Sequence, residues 1–469
     1  MTTRFTSGAG RSGRGPVWHP FTQMLTAQDP IRVESGRGVY LHTADGRRIM
    51  DGISSWWVNI HGHSHPKLNE ALATQAEALE HVIFAGFTHR PAVELAERLV
   101  ALLGPGLTRV FYSDNGSTAV EVALKMACQY WQLVGRPERR RFVALAHGYH
   151  GDTIGAMSVS DESPFTAPFA GLRFDVARAH SPSCVHCPLG LSRPSCGIAC
   201  LADLERLLVE GGEDVAAVVI EPMLQAAGGM IVWPREFLVG VRDLCTRYGT
   251  LLIADEVMTG FGRTGPMFAC EHGPVQPDIM CLSKALTAGY LPLAATVCTD
   301  AVYDAFLHED RGKAFFHGHS YTGNPLACAV ALASLALFET EGVLDRVASL
   351  EALFTRRLAP LRSLASVADV RVLGGVGIVE LAVPDESEGY LATVGPKLAS
   401  QFLERGLLLR PLGNVLYFMP PYVISDAEAN WALDQMSEVL HDLDAGASAA
   451  YASLAGEREA RPSRTTSST

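Results

Sequence analysis

The sequence predicts an α/β protein built on a mostly parallel, doubly wound sheet, and three observations carry that prediction. From about residue 105 to 300, short apolar runs alternate with stretches of helical periodicity. The runs are apolar on both faces, as strands covered by helices on either side require. The polar residues that stand out chemically fall at the ends of those runs, where open parallel sheets bind their ligands.

Taken in order, "RVFYSD" reads as a strand. The following "STAVEVALKMACQYWQLVG" reads as a helix, because Val120, Ala123, Leu124, Ala127, Tyr130 and Trp131 recur at helical spacing. "RRFVALA", "VAAVVIEPM", "GTLLIADEV" and "DIMCLS" continue the series of buried strands. No internal repeat interrupts it. The N-terminal part and the residues beyond about 335 differ: they mix short strands, as in "VADVRVLGGVGIVELA", with amphipathic helices. The expected partition is a flexible arm over 1–15, a smaller α+β domain from 16–65 plus 335–442, a large domain over 66–334, and a small-residue, polar, disordered tail over 443–469.

Composition narrows the function classes. With 50 acidic against 38 basic residues the net charge is −12, so no electrostatic footprint for nucleic acid is expected. The best apolar run, Val215 to Ile220, is cut by Glu221-Pro222, and no membrane association is expected. The N-terminus carries arginines without an apolar core, unlike a secretory signal. Most of the ten cysteines sit in apolar runs, as expected of reduced thiols in the cytoplasm. Cys184, Cys187, Cys196 and Cys200 stand apart. Their C-x2-C and C-x3-C spacings read either as a metal knuckle or as four reduced thiols.

Lys284 is the one cation in the apolar stretch "DIMCLSKALTAGYLPLAAT". Its two readings are a lysine with a buried stem and a wet head, and a desolvated amine primed to form an imine. Gly260, Gly262 and Gly265 formally match a dinucleotide fingerprint, but Asp255-Glu-Val-Met-Thr separates them from the strand and no helical pattern follows, so they read as a loop. Asp255 ends an apolar run and needs a buried partner, for instance a protonated ring nitrogen. In "SDNGSTAVEV", Gly116 permits close backbone approach, and Ser117 at a helix start either caps that helix or helps bind an anion. The histidine groups at 61, 63 and 65, at 147 and 150, and at 317 and 319 lie among glycines and read as loops, not as a catalytic metal site. A phosphate cup, a carboxylate for a ring nitrogen, an aromatic face at Tyr149 and a buried lysine have one economical explanation, pyridoxal 5'-phosphate.

The ordered segments "DNGS", "GYHGDT", "EPMLQAAGG", "ADEVMTGFGRTG" and "LSKALTAGYLP" resemble the class III aminotransferases of fold type I. "WHPFTQM", "DGISSWWVNIHGHSHP", "HVIFAGFTH", "FFHGHSYTGNPLACA" and "LRPLGNVLYFMPPYVIS" are similar to the biotin-pathway branch of that family, from about Trp18 to Leu440. The resemblance implies that Lys284 holds the cofactor and moves the substrate proton, Asp255 pairs with the pyridine nitrogen, Gly116 and Ser117 bind phosphate, and Tyr149 stacks on the ring. It implies substrate contacts at Phe21, Trp56, Tyr149, Lys284, Gly318 and Arg410, the last holding a carboxylate. It implies a homodimer whose active site lies at the interface, with His319 and Ser320 reaching the neighbouring subunit's cofactor. Glu221 and Gln225 would support the cofactor region. Met258 stands where many relatives carry Gln, Phe21 where Tyr is usual, and His319-Ser320 where Pro-Thr is usual.

The activity so implied is amino transfer from S-adenosylmethionine to the small molecule 8-amino-7-oxononanoate, in biotin synthesis. Lysine as donor, another class III ω-aminotransferase, and, from a different class, a nicotinamide-dependent oxidoreductase are the alternatives. The pair Trp56-Trp57 favours a long apolar substrate chain over a short ω-amino acid.

Overall fold

The computed structural model describes residues 15–383 and 391–459. Its centre is a seven-stranded sheet, ordered Leu107–Ser113, Ala294–Thr299, Ile279–Leu282, Leu251–Asp255, Val215–Ile220, Arg141–Leu145 and Ala177–Ala179. The four pairings from Ile279–Leu282 to Ala177–Ala179 are parallel, and only Ala294–Thr299 runs against its neighbours. Val215–Ile220, Leu251–Asp255 and Ile279–Leu282 are buried along their whole length, which is why they read as unbroken apolar runs. All five expected strands are present. The antiparallel Ala294–Thr299 and the edge strand Ala177–Ala179 were not anticipated. The first lies in a run holding the breaker Pro292, and the second has three residues.

The expected helix is Gly116–Leu133, capped by the Asn115 side chain, which accepts from the Thr118 backbone N–H at 3.0 Å. Ser117 is therefore not the cap.

The two ends of the chain share one sheet. The strands Val33–Arg37, Tyr40–Thr43 and Arg48–Asp51 are extended by Leu407–Leu408, which pairs parallel to Arg48–Asp51. "VADVRVLGGVGIVELA" forms the hairpin Val367–Leu373 and Val376–Leu381, joined by Val415–Phe418 in a three-stranded antiparallel sheet. The boundary expected between 334 and 335 falls inside the continuous helix Pro325–Thr340, so no linker separates two units there. The structure draws the first part of the expected tail as helix. A helix runs Asp426–Glu459, because Ala-rich "DAGASAAYASLAGERE" has high helix propensity. Residues 1–14 of the expected arm and 460–469 of the tail lie outside the described residues. Among the described residues no single helix is long and apolar enough to cross a membrane.

Candidate active site

A cleft of about 680 Å³ opens where the parallel strands end and the helix Gly116–Leu133 begins. Gly116, Ser117, Tyr149, Asp255 and Lys284 all line it. These five expected residues are thus brought together from segments more than 160 positions apart in the chain.

Asp255 ends its strand almost fully buried. His150 meets one of its oxygens, Nδ1 to Oδ2, at 2.7 Å, and the Val257 N–H donates to the other at 3.1 Å. Burial pushes the His150 imidazolium down, but the Asp255 carboxylate outweighs it and holds the imidazole's affinity for a proton above the ordinary value. The carboxylate is therefore paired and aimed. The neighbouring Glu256 faces away. It ties down the following loop, accepting from the Ala269 and Cys270 N–H groups and from Thr259.

Lys284 follows the strand Ile279–Leu282 with φ 42°, a left-handed conformation that a lysine adopts only when its surroundings impose it. Burial lowers its pKa, and the opposing pull of Asp255 and Glu221 does not cancel that effect. Its Nζ stands 4.7 Å from the centroid of the Trp57 ring. The snorkelling reading does not hold: the amine points inward over the Trp57 ring and lines the cleft instead of reaching out to bulk water.

At the phosphate end, the Ser117 hydroxyl meets Thr153 Oγ1 at 2.7 Å and accepts from the Thr153 N–H at 3.0 Å. A Cβ on Gly116 would come within 2.4 Å of Val257 Cγ1, and one on Gly151 within 2.3 Å of Ser117 Oγ. Two glycines therefore keep the cradle at the helix start open, where backbone N–H groups and the helix dipole favour an anion. An amine with a lowered pKa, a buried carboxylate and an anion cradle around one cleft fit pyridoxal phosphate.

A second chamber of about 330 Å³ adjoins the first through Trp57, Tyr149 and Lys284, and is walled by Phe21, Trp56, Phe165 and Tyr417. Phe21 packs edge-on to Trp56 and to Phe165, with ring centroids 5.3 and 5.6 Å apart. The Arg410 guanidinium carbon sits 4.1 Å over the Trp56 ring.

Sequence reasoning did not anticipate what shapes this chamber. Ser54, Ser55, Trp56 and Trp57 all have positive φ, 51°, 45°, 70° and 75°, forming a left-handed turn without a glycine. At ~1–2 kcal/mol per residue such a turn costs roughly 4–8 kcal/mol and must be held from outside. Asp51 holds it, accepting from the N–H groups of Ile53 and Ser55, from the Ser55 hydroxyl, and from His63 Nε2 at 2.9 Å. Ser54 Oγ donates to Met419 O, Trp57 Nε1 donates to the Tyr417 hydroxyl, and buried Arg263 donates to the carbonyls of Trp57 and Asn59. The formal fingerprint Gly260-x-Gly262-x-x-Gly265 finds its purpose here. Its loop, with Gly262 and Gly265 at φ 85° and 114°, delivers Arg263 to the turn, and no α-helix opens after it. The nicotinamide reading loses its basis.

Glu221 accepts from the N–H groups of Tyr149 and Ala226, and Gln225 donates to Ala146 O, so both brace the Tyr149 loop. Gly318, His319 and Ser320 do not line the Lys284 cleft of their own chain. The histidine groups are absorbed by other work: His61 bonds Ser334, His63 bonds Asp51 and His317 bonds Lys125. The four cysteines of the 184–200 excursion are free thiols lining a hollow of about 20 Å³. Among the described residues no group of three or more His, Cys, Asp or Glu is arranged to hold a metal ion.

The family profile of the class III aminotransferases matches residues 24–440. The adenosylmethionine-8-amino-7-oxononanoate aminotransferase of Geobacter sulfurreducens is 47% identical over 440 residues, spanning 92% of this chain and 97% of its own. That of Synechococcus elongatus is 48% identical over 430 residues, spanning 91% and 99%. Among solved structures, the Methanocaldococcus jannaschii enzyme of that name superimposes with a TM-score of 0.85 at 38% identity, covering 91% of this chain and 97% of that one. A PLP-bound amine transaminase from an uncultivated Pseudomonas species does so with 0.85 at 34% identity, covering 90% and 98%.

Proposed function

The chain belongs to the class III aminotransferases and is a pyridoxal-phosphate-dependent transaminase, and from that premise we propose that it transfers the amino group of S-adenosylmethionine to 8-amino-7-oxononanoate, giving 7,8-diaminononanoate for biotin synthesis. One observation carries the choice of acceptor. An aromatic-walled chamber runs from Lys284 to the Arg410 guanidinium, which suits an apolar chain with a carboxylate at its far end. The names of the relatives support the same choice.

Bound pyridoxal phosphate supplies an aldehyde and an electron-withdrawing ring. The remaining roles belong to this chain. Gly116 and Ser117 hold the phosphate at the helix start. Asp255, aimed by His150, keeps the ring nitrogen protonated. Tyr149 covers the ring, its backbone fixed by Glu221 and its hydroxyl donating to Asp152 at 3.0 Å. Lys284 takes the proton from the donor's α-carbon and returns one to the product carbon. Its lowered pKa keeps more of it neutral and basic near pH 7. Trp56 and Phe21 wall the acceptor chain, and Arg410 holds its carboxylate.

The active form is a homodimer in this reading. Gly318, His319 and Ser320 do not line their own cleft, and His319 Nε2 is buried without a hydrogen-bond partner in the single chain, which supports the reading that they complete a neighbour's site. Ten free thiols accord with a reducing cytoplasm. The test is an amino-donor screen with 8-amino-7-oxononanoate as acceptor, product being identified by mass. Formation of 7,8-diaminononanoate with S-adenosylmethionine supports the reading, formation with lysine alone replaces the donor, and absence of that product with every donor refutes the acceptor.

A further inference from the structure

The charged groups around Lys284 do not tether it. Asp255 and Glu221 favour its protonated form through space, Arg263 opposes it, and none of the three hydrogen-bonds it. Each is committed elsewhere. Asp255 meets His150 and the Val257 N–H. Glu221 accepts from the Tyr149 and Ala226 N–H groups, and Arg263 donates to the carbonyls of Trp57, Asn59 and Pro420. What meets the amine is a ring: Lys284 Nζ stands 4.7 Å from the Trp57 centroid, within the range of a cation–π contact.

That ring is fixed from behind. Trp57 is buried, its Nε1 donates to the Tyr417 hydroxyl at 3.0 Å, and its carbonyl accepts from Arg263 at 3.1 Å. The Tyr417 ring packs edge-on against it, with centroids 6.1 Å apart. Trp57 ends the left-handed turn with φ 75° and faces a lysine that is itself left-handed, with φ 42°. Two strained backbone segments thus meet at one indole face and one amine, and such strain persists only where the surrounding structure imposes it. A wall for an apolar substrate chain needs a ring, but not a ring in this register with Lys284.

We propose that Trp57 is a positioning residue for Lys284: its ring face holds the amine as an ammonium while Lys284 is free of the cofactor and carries the proton taken from substrate. The left-handed turn Ser54–Trp57 is then the device that sets the ring against the amine. The assignment rests on the role given to Lys284 above and adds what holds that lysine when it is not linked to the cofactor. Tyr149, Tyr417 and Arg410 are the other titratable side chains of the chamber that Lys284 and Trp57 share, and the test leaves all of them in place.

The test changes the charge on the ring face and keeps the ring's shape, so folding is spared. Trp57 alone is replaced by 5-fluorotryptophan and by 5,7-difluorotryptophan, which withdraw electrons from the face in steps. Cofactor-free full-length protein is mixed with pyridoxal phosphate, and the absorbance of the lysine-linked form is followed as a function of pH. The Lys284 amine condenses with the aldehyde and one water leaves, so capture needs the neutral amine and slows on the acid side. A weaker ring face lets the ammonium lose its proton more readily. The acid limb should therefore move to lower pH in order of fluorination, by about half a pH unit with the difluoro ring. Binding of deoxypyridoxine phosphate, which has no aldehyde, should stay within about twofold. An acid limb that stays in place, or moves to higher pH, would show that Trp57 only walls the chamber. Analogue binding that weakens as far as capture changes would make Trp57 a support of the whole cofactor site and overturn the assignment. If Lys284→Ala gives the same absorbance as wild type, the role of Lys284 falls and this assignment with it, while membership of the transaminase family stands.

Discussion

Replacing Asp51 by Asn should loosen the acceptor chamber from behind, without touching substrate. Asp51 is fully buried and its two oxygens accept four hydrogen bonds. Asparagine keeps an oxygen for the Ile53 and Ser55 N–H groups. Its amide nitrogen then faces His63 Nε2. The Asn59 amide donates to His63 Nδ1 at 3.1 Å, so Nε2 is the protonated nitrogen and the new contact sets donor against donor. The loss is one charge-assisted bond, about 1.5–3 kcal/mol, with a buried donor left unsatisfied. It falls on a turn that already carries roughly 4–8 kcal/mol of left-handed strain. Denaturant unfolding of Asp51→Asn should therefore show a loss of about 2–3 kcal/mol. Binding of the acceptor should weaken with it, because Trp56 stacks on Arg410. The pH dependence gives an independent check. Burial pushes the Asp51 carboxyl up, but hydrogen bonds from His63 and Ser55 more than offset it and hold it below its ordinary value. Its contribution is thus present above the ordinary carboxylate range near pH 4 and lost as pH falls through the lowered value. Unchanged stability together with unchanged acceptor affinity would refute the claim that Asp51 holds this turn.

Lys284→Ala should fold and yet lack the visible-edge absorbance that a lysine-linked cofactor gives, and a variant keeping both absorbance and turnover would overturn the assignment of Lys284. Arg410→Ala should weaken the acceptor by about 1.5–3 kcal/mol and spare the donor half-reaction, so equal losses in both would assign Arg410 a general structural role. Burial raises the Glu221 carboxyl to about 7, so in the cofactor-free protein its favourable contribution is full below its ordinary value of 4.5 and is lost as pH rises through 7. Unfolding measured from pH 5 to 8 should show wild type losing about 3 kcal/mol relative to Glu221→Gln across that window, and parallel curves would show that Glu221 titrates normally. Gly116→Ala should sharply weaken cofactor binding, since its Cβ would lie 2.4 Å from Val257 Cγ1, and undiminished affinity by cofactor titration would remove the cradle from the phosphate site.

Much of this protein was legible in its sequence, for local reasons. Strands buried on both faces must be apolar throughout, so Val215–Ile220, Leu251–Asp255 and Ile279–Leu282 announce themselves. A carboxylate or an ammonium at the end of such a strand is costly without a partner, so Asp255 and Lys284 stood out before any geometry was known. Other features depend on neighbours that only the folded chain supplies. Ser117 proved free of capping because Asn115 took that role. His150 looked like part of a loop cluster and is the residue that orients Asp255. The turn Ser54–Trp57 contains no glycine to betray positive φ, because its conformation is imposed by Asp51, Arg263, Tyr417 and Met419 from distant parts of the chain. The four cysteines carry a metal-like spacing, and only the folded chain shows that all four line one small hollow. Spacing along a chain states which groups are available. Only the tertiary structure fixes which of them are buried together and which way they point, and the energies of desolvation, strain and paired charge depend on that arrangement.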